Sequence, residues 1–165
     1  KNLLGTFYPP SEIFIAVDFL KTLERKDYAS GVGEIMKLLL MKKNAYRELE
    51  KIREKIQVVE KGKDKKDITE VIKEAIEIKL SYMKGDEFDH GRRNLLNYGH
   101  EFGHALEPTS RYKIPHGIAI VIGMLFANFI SLRRRWIKTD VYNNLNENIF
   151  LPYIKRSMIQ LRKEF

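Results

Sequence analysis

The apolar and polar positions alternate along most of this chain with the 3.6-residue period of helices. An extended entry over residues 1–12, with Pro9-Pro10, leads into residues 13–17, a short apolar, β-branched run that reads as a strand. Asp18 offers a cap for a brief helical piece over 19–23. Asp27 or Ser30 can cap a longer helix to about residue 43, apolar on several sides through Val32, Ile35, Met36, Leu38, Leu39 and Leu40, as buried helices are. Further helices are predicted over 45–60, from a cap at Asp67 or Thr69 to about 84, over 93–107 and from 116 onward. Two weaker helical stretches, 140–148 and 152–163, finish the chain. At most one short strand stands among six or seven helices, so the predicted class is all-α, a helical bundle-like domain over residues 1–165.

Some positions do not fit that apolar frame in a simple way. Residues 117–132 carry no charge but include Gly123, Asn128 and Ser131 and run into Arg133-Arg134-Arg135. A bilayer span needs about 18–20 apolar residues, so this run reads as a buried core helix and no membrane partner is expected. In the helix ending near 84, Ile68, Ile72, Ala75 and Met83 form a stripe that also takes in Lys79. Either its stem packs while its amine reaches water, or its ammonium points into a wet cleft and holds an anion. Glu34 and Lys37 are i, i+3 neighbours in a largely apolar helix, where a carboxylate needs a cation or a metal as partner.

All four histidines fall between positions 90 and 116. His100 and His104 are four apart, on one helical face, and His116 opens the next helix after a Pro-flanked loop. Imidazoles converging from two helices, completed by a carboxylate, suit zinc or a similar divalent ion. Arg93, Asn97, His100 and His104 step by four, three and four, which on one helix gathers a guanidinium, an amide and two imidazoles into a polar wall. Arginine in such a wall suits a carboxylate or phosphate. The stretch His100-Glu101-Phe102-Gly103-His104 also matches the zinc-peptidase pattern of two histidine ligands and a water-activating glutamate. Its extended form would need glycine at Glu107 and histidine at Ser110, and the apolar helix that follows supplies no glutamate as third ligand.

Composition adds little to this picture. The 165 residues make one domain's worth of core, and 44% hydrophobic with 32% charged residues excludes wholesale disorder. Zero cysteines exclude disulfides and thiolate metal sites, in keeping with a reducing, cytoplasmic setting. The net charge of +8 favours acidic partners in general. The basic run at 61–66 has no interleaved aromatics, so it reads as a solvated turn and not as a nucleic-acid patch. The opening residue, Lys1, leads us to expect a piece of a longer chain.

The run Arg93-Asn94-Leu95-Leu96-Asn97-Tyr98-Gly99-His100-Glu101-Phe102-Gly103-His104-Ala105, with His116-Gly117 and Ile122-Gly123-Met124 after it, resembles the central motif of 3-dehydroquinate synthase and its sugar-phosphate cyclase relatives. Upstream, Lys1-Asn2-Leu3-Leu4-Gly5-Thr6-Phe7, Asp18-Phe19-Leu20-Lys21-Thr22 and Ser30-Gly31-Val32-Gly33-Glu34-Ile35-Met36-Lys37 are similar to the segments that enter that family's helical half. The resemblance runs in the family's order over about residues 1–132 and is vague beyond. It implies the C-terminal, helical, metal-binding domain of a two-domain enzyme whose N-terminal α/β domain binds NAD and is mostly absent from these residues. The family's final substrate-binding lysine also has no match.

By position, the resemblance implies Glu34, His100 and His116 as ligands of zinc or cobalt. It makes His104 a proton-handling residue instead of a ligand. Lys37, Lys79, Arg93 and Asn97 would bind the ends of the substrate, Asn2 would touch it, and Lys1, Phe19 and Thr22 would touch NAD. Asp89, a catalytic candidate with His104 and Lys37, stands where the family usually has glutamate, and Gly33 where it usually has alanine. The implied reaction cyclises a phosphorylated seven-carbon keto acid with loss of phosphate, in a cytoplasmic enzyme, with a homodimer of the full-length protein among the implied partners. A related sugar-phosphate cyclase and a metal-dependent alcohol dehydrogenase are the neighbouring readings. The 165 residues alone are expected to be inactive, lacking the NAD loop.

Overall fold

The computed structural model describes residue 8, residues 11–86 and residues 89–162. Seven α-helices occur among them: α1 (Arg25–Leu40), α2 (Leu49–Lys61), α3 (Lys65–Met83), α4 (His100–Thr109), α5 (His116–Arg133), α6 (Thr139–Leu145) and α7 (Leu151–Arg162). A π-helical turn, Asn146–Phe150, joins α6 to α7 without a break. No strand occurs among the described residues, and the fold is all-α. Residues 13–16 form no regular element, with Ile13, Phe14 and Ile15 exposed, because β propensity is expressed only against a neighbouring strand. The brief helix predicted after Asp18 is a 3-10 turn, Val17–Thr22.

Helix α5 is the spine. Ile118, Ala119, Ile120, Val121 and Met124 have no exposed surface, and α1 and α4 make its largest interfaces. By length and composition α5 could cross a bilayer; its first half, from Gly117 to Met124, packs into the core with Val32, Met36 and Leu39 of α1 and Phe150 and Tyr153 beyond it, while Phe126 and Phe129 in its second half are exposed. Each such side chain, fully buried, contributes about 1.5–3 kcal/mol. The Tyr153 hydroxyl donates to the Ala29 carbonyl at 2.6 Å, tying α7 to α1.

Two glycine contacts set how closely the helices meet. At the start of α5, the Gly117 amide donates to Ser30 Oγ at 2.8 Å, and a Cβ on Gly117 would lie 1.8 Å from the Ser30 carbonyl oxygen. One turn and a half later, a Cβ on Gly123 would lie 2.0 Å from the Gly99 carbonyl oxygen. Backbone therefore touches backbone at both crossings, first with α1 and then with the entry to α4.

Some boundaries differ from the periodic reading. The N-cap of α3 is Asp64, whose carboxylate accepts from the Lys66 and Asp67 amides, not Asp67 or Thr69. Its buried residues are Ile68, Val71, Ala75 and Ile78, so Lys79 falls one position outside the core stripe. The helix predicted over 93–107 is two pieces, a 3-10 turn Arg92–Asn97 and then α4, because Gly99 adopts a left-handed φ of 80° where it packs against α5. Pro108 lies inside the last turn of α4, not in the loop after it, and there it lacks only one backbone bond.

Candidate metal and substrate site

Glu34 sits in mid-α1 beside Gly33, whose contact with the Gly117 backbone puts it across from the first residue of α5, His116. His100 is the first residue of α4. Glu34 Oε1 lies 3.3 Å from His116 Nε2 and 3.9 Å from His100 Nε2. Its other oxygen receives the Lys37 ammonium at 2.9 Å, and Lys37 is buried. Oε1 itself is buried and has no hydrogen-bond partner. Burial pushes the Glu34 carboxyl up, but Lys37 and the two imidazoles outweigh it and hold the group below the usual carboxylate range. Burial, then the Lys37 charge, pulls His100 down, which favours a neutral ring with a free lone pair.

The far ring nitrogens are engaged. His100 Nδ1 lies 3.3 Å from the Tyr98 carbonyl and His116 Nδ1 lies 3.2 Å from Glu107 Oε2. Both Nε2 atoms are thereby turned toward Glu34. Ligands about 2.0–2.2 Å from a tetrahedral ion stand about 3.3–3.6 Å from one another. The separations of 3.3 and 3.9 Å bracket that spacing. An orphaned carboxylate oxygen facing two imidazole nitrogens therefore fits a divalent ion with little movement. His104 also comes near, its ring centre 5.1 Å from that of His100 and 5.5 Å from that of His116, but it is exposed. Nitrogens of the three histidines lie within 4.8 Å of one another.

Beside this group opens a cavity of about 260 Å³ lined by Glu34, Lys37, Leu38, Lys79, Asp89, Arg93, Leu96, Asn97, His100 and His116. Lys37, Lys79 and Arg93 give it three cations, a setting for anionic groups. Of the four residues expected in a polar wall on one helical face, three line the cavity, and they are assembled across the bend at Gly99: Arg93 and Asn97 come from the 3-10 turn and His100 from α4, while His104 is exposed and outside the lining. Asn97 Nδ2 donates to Asn94 Oδ1 at 3.0 Å. Asp89 takes a left-handed φ of 62° on the loop before that turn.

The 3-10 turn Val17–Thr22 carries Phe19 and Thr22, both exposed and outside the cavity lining. Lys1 and Asn2 lie outside the described residues. Glu101, the water-activating residue of the peptidase pattern, is exposed and lines no part of the cavity. Asp86, between the helices predicted to about 84 and over 93–107, is a residue the sequence reading did not single out. Its carboxylate accepts the amides of His90, Gly91 and Arg93 at 2.8, 2.9 and 2.8 Å, and these bonds, the Arg93 amide foremost, hold it below the usual carboxylate range. The pair Gly85-Asp86 closing a helix was the available signal, since aspartate after such a break often gathers the amides that follow.

Residues 31–159 match the family model described as 3-dehydroquinate synthase C-terminal. The chain belongs to the 3-dehydroquinate synthase family. Among its relatives, the 3-dehydroquinate synthase of Pyrococcus abyssi is 37% identical over 171 residues, covering 99% of this chain and 48% of the relative. That of Helicobacter pylori is 38% identical over 156 residues, covering 93% and 42%. That of Campylobacter jejuni is 39% identical over 134 residues, covering 80% and 38%. The chain thus spans less than half the length of the 3-dehydroquinate synthases it matches, and it corresponds to the helical C-terminal domain of that family.

Proposed function

We propose that this chain is the metal- and substrate-binding half of a 3-dehydroquinate synthase-type lyase, acting in the cytoplasm on a phosphorylated seven-carbon keto acid. The observation that carries the reading is the orphaned Glu34 Oε1 facing the Nε2 atoms of His100 and His116 at the edge of a cavity with three cations. Family membership supplies the reaction class.

In this reading Glu34, His100 and His116 hold zinc or cobalt. A bound divalent ion would polarise an alcohol or carbonyl oxygen, and NAD, held by an N-terminal half, would carry the hydride. Lys37, Lys79 and Arg93 bind the carboxylate and phosphate ends, and Asn97 orients an oxygen between them. Their charge favours the elimination step, in which the carbon–oxygen bond to phosphate breaks and the carbon next to the ketone gives up its proton. His104, exposed beside the His100 and His116 rings, passes that proton to water, and Asp89 lines the cavity as a second proton-handling group. Phe19 and Thr22 lie away from the cavity, where an NAD-binding half would meet this one.

The test is phosphate release from the seven-carbon substrate by the full-length enzyme containing this chain, supplied with NAD and cobalt or zinc. Release should be fast and should collapse in His100→Ala. Equal release by enzyme and variant overturns the assignment. Oxidation of simple alcohols without phosphate release would point to a dehydrogenase, and chelator-sensitive peptide cleavage lost in Glu101→Gln to a peptidase.

A further inference from the structure

Glu107 has no part in the roles assigned above, yet it touches the proposed site from behind. It lies on α4 two turns after His100, with its side chain 15% exposed. Its Oε2 stands 3.2 Å from His116 Nδ1, the ring nitrogen facing away from Glu34. The same oxygen is 4.0 Å from His104 Nε2, too far for a hydrogen bond. Glu107 therefore grips His116 and leaves His104 unheld.

We propose that Glu107 is the positioning residue for His116, fixing by its carboxylate the tautomer and ring angle that turn Nε2 toward Glu34. The inference rests on the metal reading above. A neutral imidazole carries one proton, and donation to Glu107 places it on Nδ1, so the lone pair sits on Nε2. The corresponding nitrogen of His100 faces only the Tyr98 carbonyl, a weaker acceptor than a carboxylate. Partners of this kind orient a ligand and raise its basicity.

The backbone shows how Glu107 is itself held. Its carbonyl accepts two bonds, from Ser110 Oγ at 2.9 Å and from the Tyr112 amide at 2.8 Å. The second is reached only because Arg111 and Tyr112 both take left-handed φ values, 52° and 57°. Two successive non-glycine residues in that region are costly. The turn that spends this energy wraps Glu107 and delivers the chain to His116 four residues later. Position and orientation of the second imidazole are thus set by one connection, α4 to α5.

The experiment compares cobalt(II) binding to the full-length enzyme and to Glu107→Ala, Glu107→Gln and Glu101→Gln, with nitrogen NMR of the His116 ring. Glu107→Ala should weaken cobalt binding about 10–100-fold and make the His116 Nδ1 and Nε2 protonation mixed. Glu107→Gln keeps an acceptor without the charge and should lose about 3–10-fold, which decides the matter if the alanine variant does not fold. Glu101→Gln, on the exposed face of α4, should bind like wild type. Wild-type binding by both Glu107 variants, with an unchanged His116 tautomer, overturns the inference and leaves the metal reading standing. Failure of the unmodified enzyme to bind cobalt overturns the metal reading itself, and the inference with it.

Discussion

Replacing Gly117 by alanine should separate the two helices that bring Glu34 and His116 together. The new Cβ would lie 1.8 Å from the Ser30 carbonyl oxygen and 2.7 Å from its carbon, both backbone atoms that no side-chain rotation can move aside. Restoring ordinary contact near 3.4 Å requires about 1.6 Å of helix displacement in a core packed to crystal density. Overpacking of this kind costs about 1–3 kcal/mol. For a chain of this length that lowers Tm by roughly 2–12 °C. Glu34 Oε1 and His116 Nε2, now 3.3 Å apart, would move beyond the spacing one tetrahedral ion can span. Metal affinity should therefore fall more than stability does. Gly31→Ala is the control: nothing lies within 4 Å of its Cβ, and alanine there should stabilise α1 by about 0.4–1 kcal/mol. Thermal unfolding of the metal-free proteins and cobalt titration of each would decide. A Gly117→Ala protein that melts with Gly31→Ala and binds cobalt as wild type does would refute the idea that this crossing sets the site.

Two further outcomes follow from the buried polar groups. Glu34→Gln leaves the buried Lys37 ammonium without its counter-charge and should cost about 1–3 kcal/mol in metal-free urea melts, with Glu34→Gln/Lys37→Met recovering much of it while still binding no metal; a single variant as stable as wild type would contradict this. Burial pushes the Tyr98 hydroxyl, which donates to Asn128 Oδ1 at 2.9 Å, up from its ordinary 10 to about 12, so the folded state keeps a proton that the unfolded state releases. Its stabilisation is complete below pH 10 and is lost as pH rises through about 12. Urea melts across that range should therefore show a steeper alkaline loss in wild type than in Tyr98→Phe, and identical slopes would count against it.

The helical class, the core role of the first half of residues 117–132 and the convergence of His100 with His116 were legible because each rests on a local period or a short spacing; the second half leaves Phe126 and Phe129 exposed. Lys79 was ambiguous in the sequence for a physical reason: it borders the buried stripe of α3 closely enough that one position decides between core and cleft. The break at Gly99 was hidden because Arg93, Asn97, His100 and His104 keep a helical spacing straight through it, and what bends the chain there is a backbone contact with Gly123 from another helix. Glu107 was invisible as a partner of His116 because that contact is made through a turn with two unusual backbone angles, which no residue type there announces. For the strand over 13–17, the residues had the propensity but the described structure offers them no neighbour.

The polar cavity draws its walls from α1, α3, the turn before α4 and the start of α5, segments separated by up to about 80 positions of chain. None of these pieces can rehearse the arrangement locally, so the pocket has to be among the last features to form as the molecule folds. Mutations in the α2 or α7 packing, remote from every polar group in it, should then slow its appearance without altering a single side chain within it.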